Sequence, residues 1–249
     1  MNQTLQYKFI KPNKPLADFV YCFSSLKNLS VINEAVIIPN GKIDLIFSRT
    51  TDHQLRIALL GLETKPKCAN VDVIEFFGVS FNPLAIEYIF NCSIAEILNT
   101  GKNLPDNFWD FGVKDMDDFD AFCENITRKI HSLLPKKIDE RKRSLFELIF
   151  STNGEITVKE LSEKINWSPR QINRYFNQQF GLSLKVYCSI LRFQAALAHI
   201  KDGTLFPQLN FTDQSHFIKE IKKLSGVSPK ELFKNKNDRF LQFLVYDKE

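Results

Sequence analysis

The sequence predicts an α+β chain: a mixed strand-and-helix N-terminal half, then an all-α half of two helix-turn-helix units joined by a long helix. Three observations carry this. Short apolar runs punctuated by Asn-Gly and Asn-Pro occupy the first part of the chain. The stretch beginning at Ser168 repeats itself from Asp213. The charge is divided, with residues 1–135 at a net −3 and residues 136–249 at a net +7. The sign changes near Leu134-Pro135-Lys136-Lys137, so the expected division is 1–135, 136–238 and an apolar tail, 239–249.

With 249 residues, 44% of them apolar and 25% charged, the chain has ordinary globular composition and enough length for one large domain or two modest ones. No apolar run approaches the ~18 residues of a membrane span. The first residues, MNQTLQYKFIKP, lack an apolar h-region, so no signal peptide is expected. Five cysteines (Cys22, Cys68, Cys92, Cys123 and Cys188) are scattered with no CxxC pair. That argues against a disulfide framework or a cysteine-rich zinc site and fits a cytoplasmic location.

In chain order, 36–39 runs into Asn40-Gly41 and then 42–47, a hairpin signal because both turn residues tolerate positive φ. Residues 57–60 and 71–81 read as further strands, the last ended by Asn82-Pro83. Short helices are expected at 84–90 and 94–98, and a loop with Pro105, Phe108 and Trp109 at 101–112. A strong amphipathic helix follows at about 115–134. Met116, Phe119, Phe122, Ile126, Ile130 and Leu133 recur at steps of three or four, which reads as a core stripe, with a dimer seam as the other reading. Asp117 and Asp118 fall in its first turn and Arg128 and Lys129 near its end, matching the macrodipole.

A search for catalytic chemistry finds little. His53, His131, His199 and His216 form no HExxH or paired metal spacing, and GxSxG, GxxxxGK[ST] and GxGxxG are absent. Asp44, inside an apolar strand, reads as an outward alternate position. No catalytic residue, metal or cofactor is expected, and no ligand-binding residue of the N-terminal half is identified.

The C-terminal half is more informative. SPRQINRYFNQQFGLS and DQSHFIKEIKKLSGVS align 45 residues apart, matching Ser168 with Asp213, Ile172 with Phe217, Arg174 with Lys219, Phe176 with Ile221, Gly181 with Gly226 and Ser183 with Ser228. Ser168 is an N-cap, Pro169 takes the first helical position and Gln171 completes a capping box. Asp213 can cap the second copy, and each glycine suits the left-handed position that ends a helix. Ile172 and Phe176 face inward. Arg170, Asn173, Arg174 and Asn177 share the other face, as do Ser215, Ile218, Lys219 and Lys222 of the second copy. Thr157 and Glu160 open another short helix, separated from Ser168 by Asn166-Trp167, which completes a helix-turn-helix. Outward arginine can bond guanine bidentately and asparagine can bond adenine. Between the copies, Leu184, Tyr187, Leu191, Ala195 and Ala198 mark a helical strut able to hold two reading helices about one duplex turn apart.

At these residues the chain resembles the AraC/XylS-type DNA-binding domain, over about 138–236, most specifically in FTDQSHFIKEIKKLSGVSP. The resemblance implies DNA reading by Arg170, Asn173 and Arg174 in one helix and by Gln214, Ser215, Ile218 and Lys219 in the other. Two departures stand out. Residues 203–210 are shorter than in the family and contain Pro207, so the usual supporting helix cannot form unbroken, and Leu205, Phe206 and Leu209 are expected beneath Phe217 instead. Lysine at 219 replaces the usual arginine, a point charge in place of a planar fork. Ile218 can touch a thymine methyl.

The N-terminal half is similar, through IIPNGKIDLIF and FFGVSFNP, to sensory domains joined to this module in bacterial regulators. These resemblances imply a sequence-specific transcription regulator whose partner is double-stranded DNA. Candidate further partners are a small-molecule effector, RNA polymerase and a second copy of the chain, with no membrane. The alternatives are a DNA-binding module fused to a sensory or repair enzyme domain, and a non-specific DNA-binding protein. The complete caps and stripes of about 139–237 lead to the expectation that this segment folds and binds DNA alone. The tail, with Phe240, Leu241, Phe243, Leu244 and Val245, is too apolar to stay in water. It is expected to dock in extended form on the N-terminal domain or between the domains.

Overall fold

The fold was analysed in a computed structural model, which describes residues 5–29, 35–69, 72–207, 211, 213–235 and 240. The chain is α+β and divides into two compact units. One comprises Met1–Asn33, Lys42–Gly61 and Asn70–Ile138, the other Glu34–Gly41, Leu62–Ala69 and Asp139–Glu249. The last crossing between the two units falls at 138/139. The two short segments, although early in the chain, belong with the helices.

The first unit is a six-stranded antiparallel sheet. Its strands are β1 (Gln6–Ile10), β2 (Val20–Lys27), β4 (Ile43–Thr50), β5 (Leu55–Leu60), β7 (Val73–Phe81) and β8 (Gly101–Leu104), in the order β1-β2-β7-β4-β5-β8. On one face Phe47 and Phe77 meet Phe119 and Phe122 of α2 (Phe119–Leu133), with ring centroids 5.1–5.2 Å apart and tilted edge to face. Ile126 and Ile130 extend the same buried stripe, so the amphipathic face is core. The helix starts later than expected. Asp118 stands before it as the N-cap and accepts from the Ala121 amide, while Val113–Met116 forms a separate 3₁₀ turn. α1 (Leu84–Tyr88) follows β7, and 95–97 is a 3₁₀ turn rather than an α-helix. Asp44 accepts a hydrogen bond from Ser80 across the β4–β7 ladder.

Two expectations fail. Residues 101–104 are not loop but the edge strand β8, paired from Leu60↔Gly101 to Ile57↔Leu104. Gly-Lys-Asn-Leu has no apolar alternation, so its strand character comes only from the partner. Residues 36–47 are not a hairpin. β3 (Ala35–Ile37) pairs with β6 (Lys67–Ala69), in register Val36↔Cys68, while β4 pairs with β5 and β7. A type I′ turn needs positive φ at both central residues, and only Gly41 has it, at +69°. Gly41 serves another contact: a Cβ there would lie 3.1 Å from Leu191 and 3.4 Å from the Tyr187 ring.

The second unit holds α3 (Glu140–Ser151), α4 (Val158–Ile165), α5 (Pro169–Phe180), α6 (Leu184–Lys201), α7 (Gln214–Ser225) and α8 (Pro229–Lys234), together with the β3–β6 ribbon. α6 is buried on more than the expected stripe. Ile190, Phe193, Leu197 and Ile200 are buried beside Leu184, Tyr187 and Leu191, whereas Ala198 is exposed. A helix packed against neighbours on two sides loses the single-face period.

Cysteine chemistry follows burial. Desolvation pushes the thiols of Cys22 and Cys188 up to about 11 and that of Cys123 up to about 12, whereas Cys68 is exposed on β6. Because the thiolate is the nucleophile, a maleimide at pH 7.5 is expected to label Cys68 first and these three only on unfolding, as read by peptide mass spectrometry.

Lys42 offers a pH test of the sheet unit. Its side chain is half-buried, but the ammonium itself is enclosed, donating to Asn82 Oδ1 at 2.8 Å and lying 4.5 Å from the Tyr21 ring centroid. Burial lowers its pKa from 10.5 to about 8. The unfolded chain therefore binds more protons between these values, so stability rises with pH across that window. Lys42→Met should flatten this rise, measured by denaturant unfolding at pH 7.5, 8.5 and 9.5.

Candidate nucleic-acid interface

Each reading helix is set by its own caps. Ahead of the first reading helix, Thr157 and Glu160 close a capping box on α4, and α4 ends at Asn166 in the left-handed conformation, φ 55°. That turn leads at once to Ser168, whose box with Gln171 starts α5 behind Pro169; Gly181 ends it at φ +75°. In the second unit Asp213 accepts from the His216 amide at 2.8 Å, and Gly226 ends α7 at φ +81°. The repeat reaches one element further than the reading helices. Ser183 caps α6 and Ser228 caps α8, which explains why serine recurs there.

The inward and outward faces are those expected. Ile172 and Phe176 of α5, and Phe217 and Ile221 of α7, are at most 2% exposed. Arg170, Arg174 and Asn177 are exposed, with Asn173 half-exposed beside them. On α7, Gln214, Ser215, Lys219 and Lys222 are exposed and Ile218 is 39% exposed. Among the described residues, Arg170, Arg174, Lys219 and Lys222 make no ion pair, whereas Lys223 pairs with Glu220 at 3.6 Å. The amides are engaged locally: Asn173 donates to the Pro169 carbonyl at 3.0 Å, Asn177 to that of Asn173 at 2.8 Å and Gln214 to that of Leu205 at 2.9 Å. Each would exchange that bond for a base edge at little net cost.

The residues beneath α7 were only partly foreseen. No helix occurs among the described residues between α6 and α7. Leu205 and Phe211 pack against the cluster around Phe217, but Phe206 is 59% exposed and Leu209 lies outside the described residues. The buried cluster around Phe217 draws on α6 and on Leu232 of α8, and also includes Val36, Ile38 and Phe240. The tail's other residues, 239 and 241–249, lie outside the described residues. Phe240 itself forms a parallel bridge with Val36 and is 1% exposed, so it docks in the helical unit.

In the sheet unit, Trp109, Arg128, Lys129 and Asn125 line an open groove of about 460 Å³, with Lys129 paired to Asp110 at 2.8 Å. Among the described residues no cluster of His, Cys, Asp and Glu could hold a metal ion, and no helix is long and apolar enough to cross a membrane.

α5 and α7 are capped, cation-bearing helices separated in sequence by one continuous helix, and the tight turn at Asn166 makes α4 and α5 a helix-turn-helix. A helix-turn-helix domain model matches residues 161–235, and a model described as a domain of unknown function (DUF6597) matches residues 8–102. The chain is 21% identical over 213 residues to the uncharacterized HTH-type transcriptional regulator YtdP of Bacillus subtilis (strain 168), covering 74% of this chain and 27% of that protein. It thus spans about a quarter of the length of the curated relative it matches. Among solved structures, the C-terminal domain of AraT, a response regulator from Geobacillus stearothermophilus, is 21% identical with a TM-score of 0.35, covering 41% of this chain and 89% of that one. ToxT from Vibrio cholerae O395 is 11% identical with a TM-score of 0.42, covering 92% and 97%. Residues 161–235 therefore match a helix-turn-helix domain, the kind of domain that the name of the curated relative also carries.

Proposed function

We propose that the chain is a non-enzymatic, sequence-specific regulator that reads two successive major-groove segments, one with α5 and one with α7. The observation that carries this is the pair of unpaired, solvent-facing cation sets on two capped helices flanking one continuous strut. The 18 residues of α6 span about 27 Å at ~1.5 Å each, and successive major-groove windows lie ~34 Å apart. Arg170 and Arg174 fit guanine edges, Asn173 and Asn177 adenine, and Ile218 a thymine methyl. Gln214 and Ser215 sit where base edges or phosphates are reached, and Lys219 and Lys222 neutralise phosphate. The groove beside Trp109 and Arg128 is of a size for a small-molecule effector. We further propose that the protein works on DNA in the cytoplasm, alone or as a homodimer, with RNA polymerase as a second partner.

Arg174→Ala is expected to weaken binding to a selected site by about 1–3 kcal/mol without moving the melting curve. Binding of the wild type should fall steeply with salt, since each neutralised phosphate adds roughly 0.9 to the log–log slope. Equal affinity for selected and random duplexes would instead identify a non-specific DNA-binding protein.

A further inference from the structure

The two reading helices stand on different footings. α5 packs through Phe176 and Phe180 on Phe146 of α3, and Phe176 also meets Tyr187 of α6, with centroids 5.5–6.0 Å apart. A complete helix, α4, precedes it. α7 has no such helix before it among the described residues, yet Phe217, Ile221 and Leu224 are 2% exposed or less. The cluster that buries them includes Val36 and Ile38 from the β3 segment. That segment is fastened to α6 by its backbone: Tyr187 Oη donates to the Gly41 carbonyl at 3.1 Å, and Gln194 Nε2 donates to the Pro39 carbonyl. Burial raises the Tyr187 phenol well above its ordinary value, so it keeps the proton it donates. At the other end of α7, a Cβ on Gly226 would lie 3.3 Å from Pro66, beside β6.

We propose that the β3–β6 ribbon is the positioning element of the second reading helix, doing for α7 what α4 does for α5, with Ile38 as the positioning residue. The role assigned to α7 rests on the DNA-reading proposal above. The ribbon's physical consequence does not. Peptide bonds join the ribbon segments to β4 after Gly41 and to β5 through Gly61, so a change in those strands has a covalent route to α7. Reading of one DNA segment can then be adjusted while the other is left intact.

The test is amide hydrogen exchange on the full chain, comparing wild type, Ile38→Val and Ile38→Ala. In Ile38→Ala, exchange across 214–225 is expected to rise at least tenfold while 169–180 changes less than twofold. Ile38→Val should restore most of the protection. An equal rise in both helices, or an unchanged α7, overturns the proposal. Should Ile38→Ala unfold outright, the same comparison is read on Ile38→Val, where α7 must still loosen more than α5. Footprinting on a selected site supplies the second readout: protection should be lost first over the segment facing α7. A wild type that gives no footprint defeats the DNA-reading proposal, while the exchange result still decides the ribbon's role.

Discussion

A fragment of residues 139–249 should fail to fold cooperatively, although every helix of the module lies within it. Residues 34–41 and 62–69 belong to the same compact unit. Val36 and Ile38 share a buried cluster with Phe193, Leu197 and Phe217. Removing one buried aliphatic side chain of this size costs about 2–5 kcal/mol, so losing both, with the two backbone anchors, costs roughly 5–10 kcal/mol. A domain of this size has only about 5–15 kcal/mol in total. The fragment is expected to show helical circular dichroism without a sharp melt, and to bind a hydrophobic dye. A cooperative transition within a few degrees of that in the full chain would show that the ribbon is dispensable. The sequence leads to the opposite expectation, because caps and stripes advertise local order and say nothing of which distant segment completes a core.

That contrast recurs through the chain. Ser168 with Gln171, Asp213 and the two terminating glycines are legible because capping chemistry acts over three or four residues. The outward set from Arg170 to Lys222 is legible for the same reason, since helical period alone assigns its face. The ribbon is not. Its strands are three residues each, too short to show a period, and pair Val36 with Cys68, 32 positions further along the sequence. Asn40-Gly41 imitates a hairpin turn, and only the positions of Tyr187 and Leu191 reveal that the glycine answers to α6. β8 is hidden by its polarity. What sequence did disclose was a departure: Pro207 and the shortened segment before Phe211 led to the expectation that the usual supporting helix cannot form unbroken. That Val36 and Ile38 share the buried cluster of α7 had to be seen in the fold.

Phe240→Ala should lower the stability of the helical unit by about 3–5 kcal/mol, a drop in its melting temperature of roughly 10 °C or more. The side chain is 1% exposed, its residue bridges Val36 in parallel, and its amide donates to Asn235 Oδ1 at 3.3 Å. A phenyl ring so enclosed leaves a cavity that neighbours on rigid helices cannot collapse to fill. Phe240→Leu, which keeps most of the volume, should recover more than half of the loss. Deleting 239–249 should match Phe240→Ala if this ring is the tail's principal anchor, and exceed it if the residues beyond it also dock. Differential scanning calorimetry separates the possibilities. A loss confined to one transition assigns the tail to the helical unit, as the bridge to Val36 requires, and shifts in two transitions would tie it to both. An Ala variant that melts like the wild type would remove Phe240 from the core, and with it the idea that the chain's end helps hold the second reading helix.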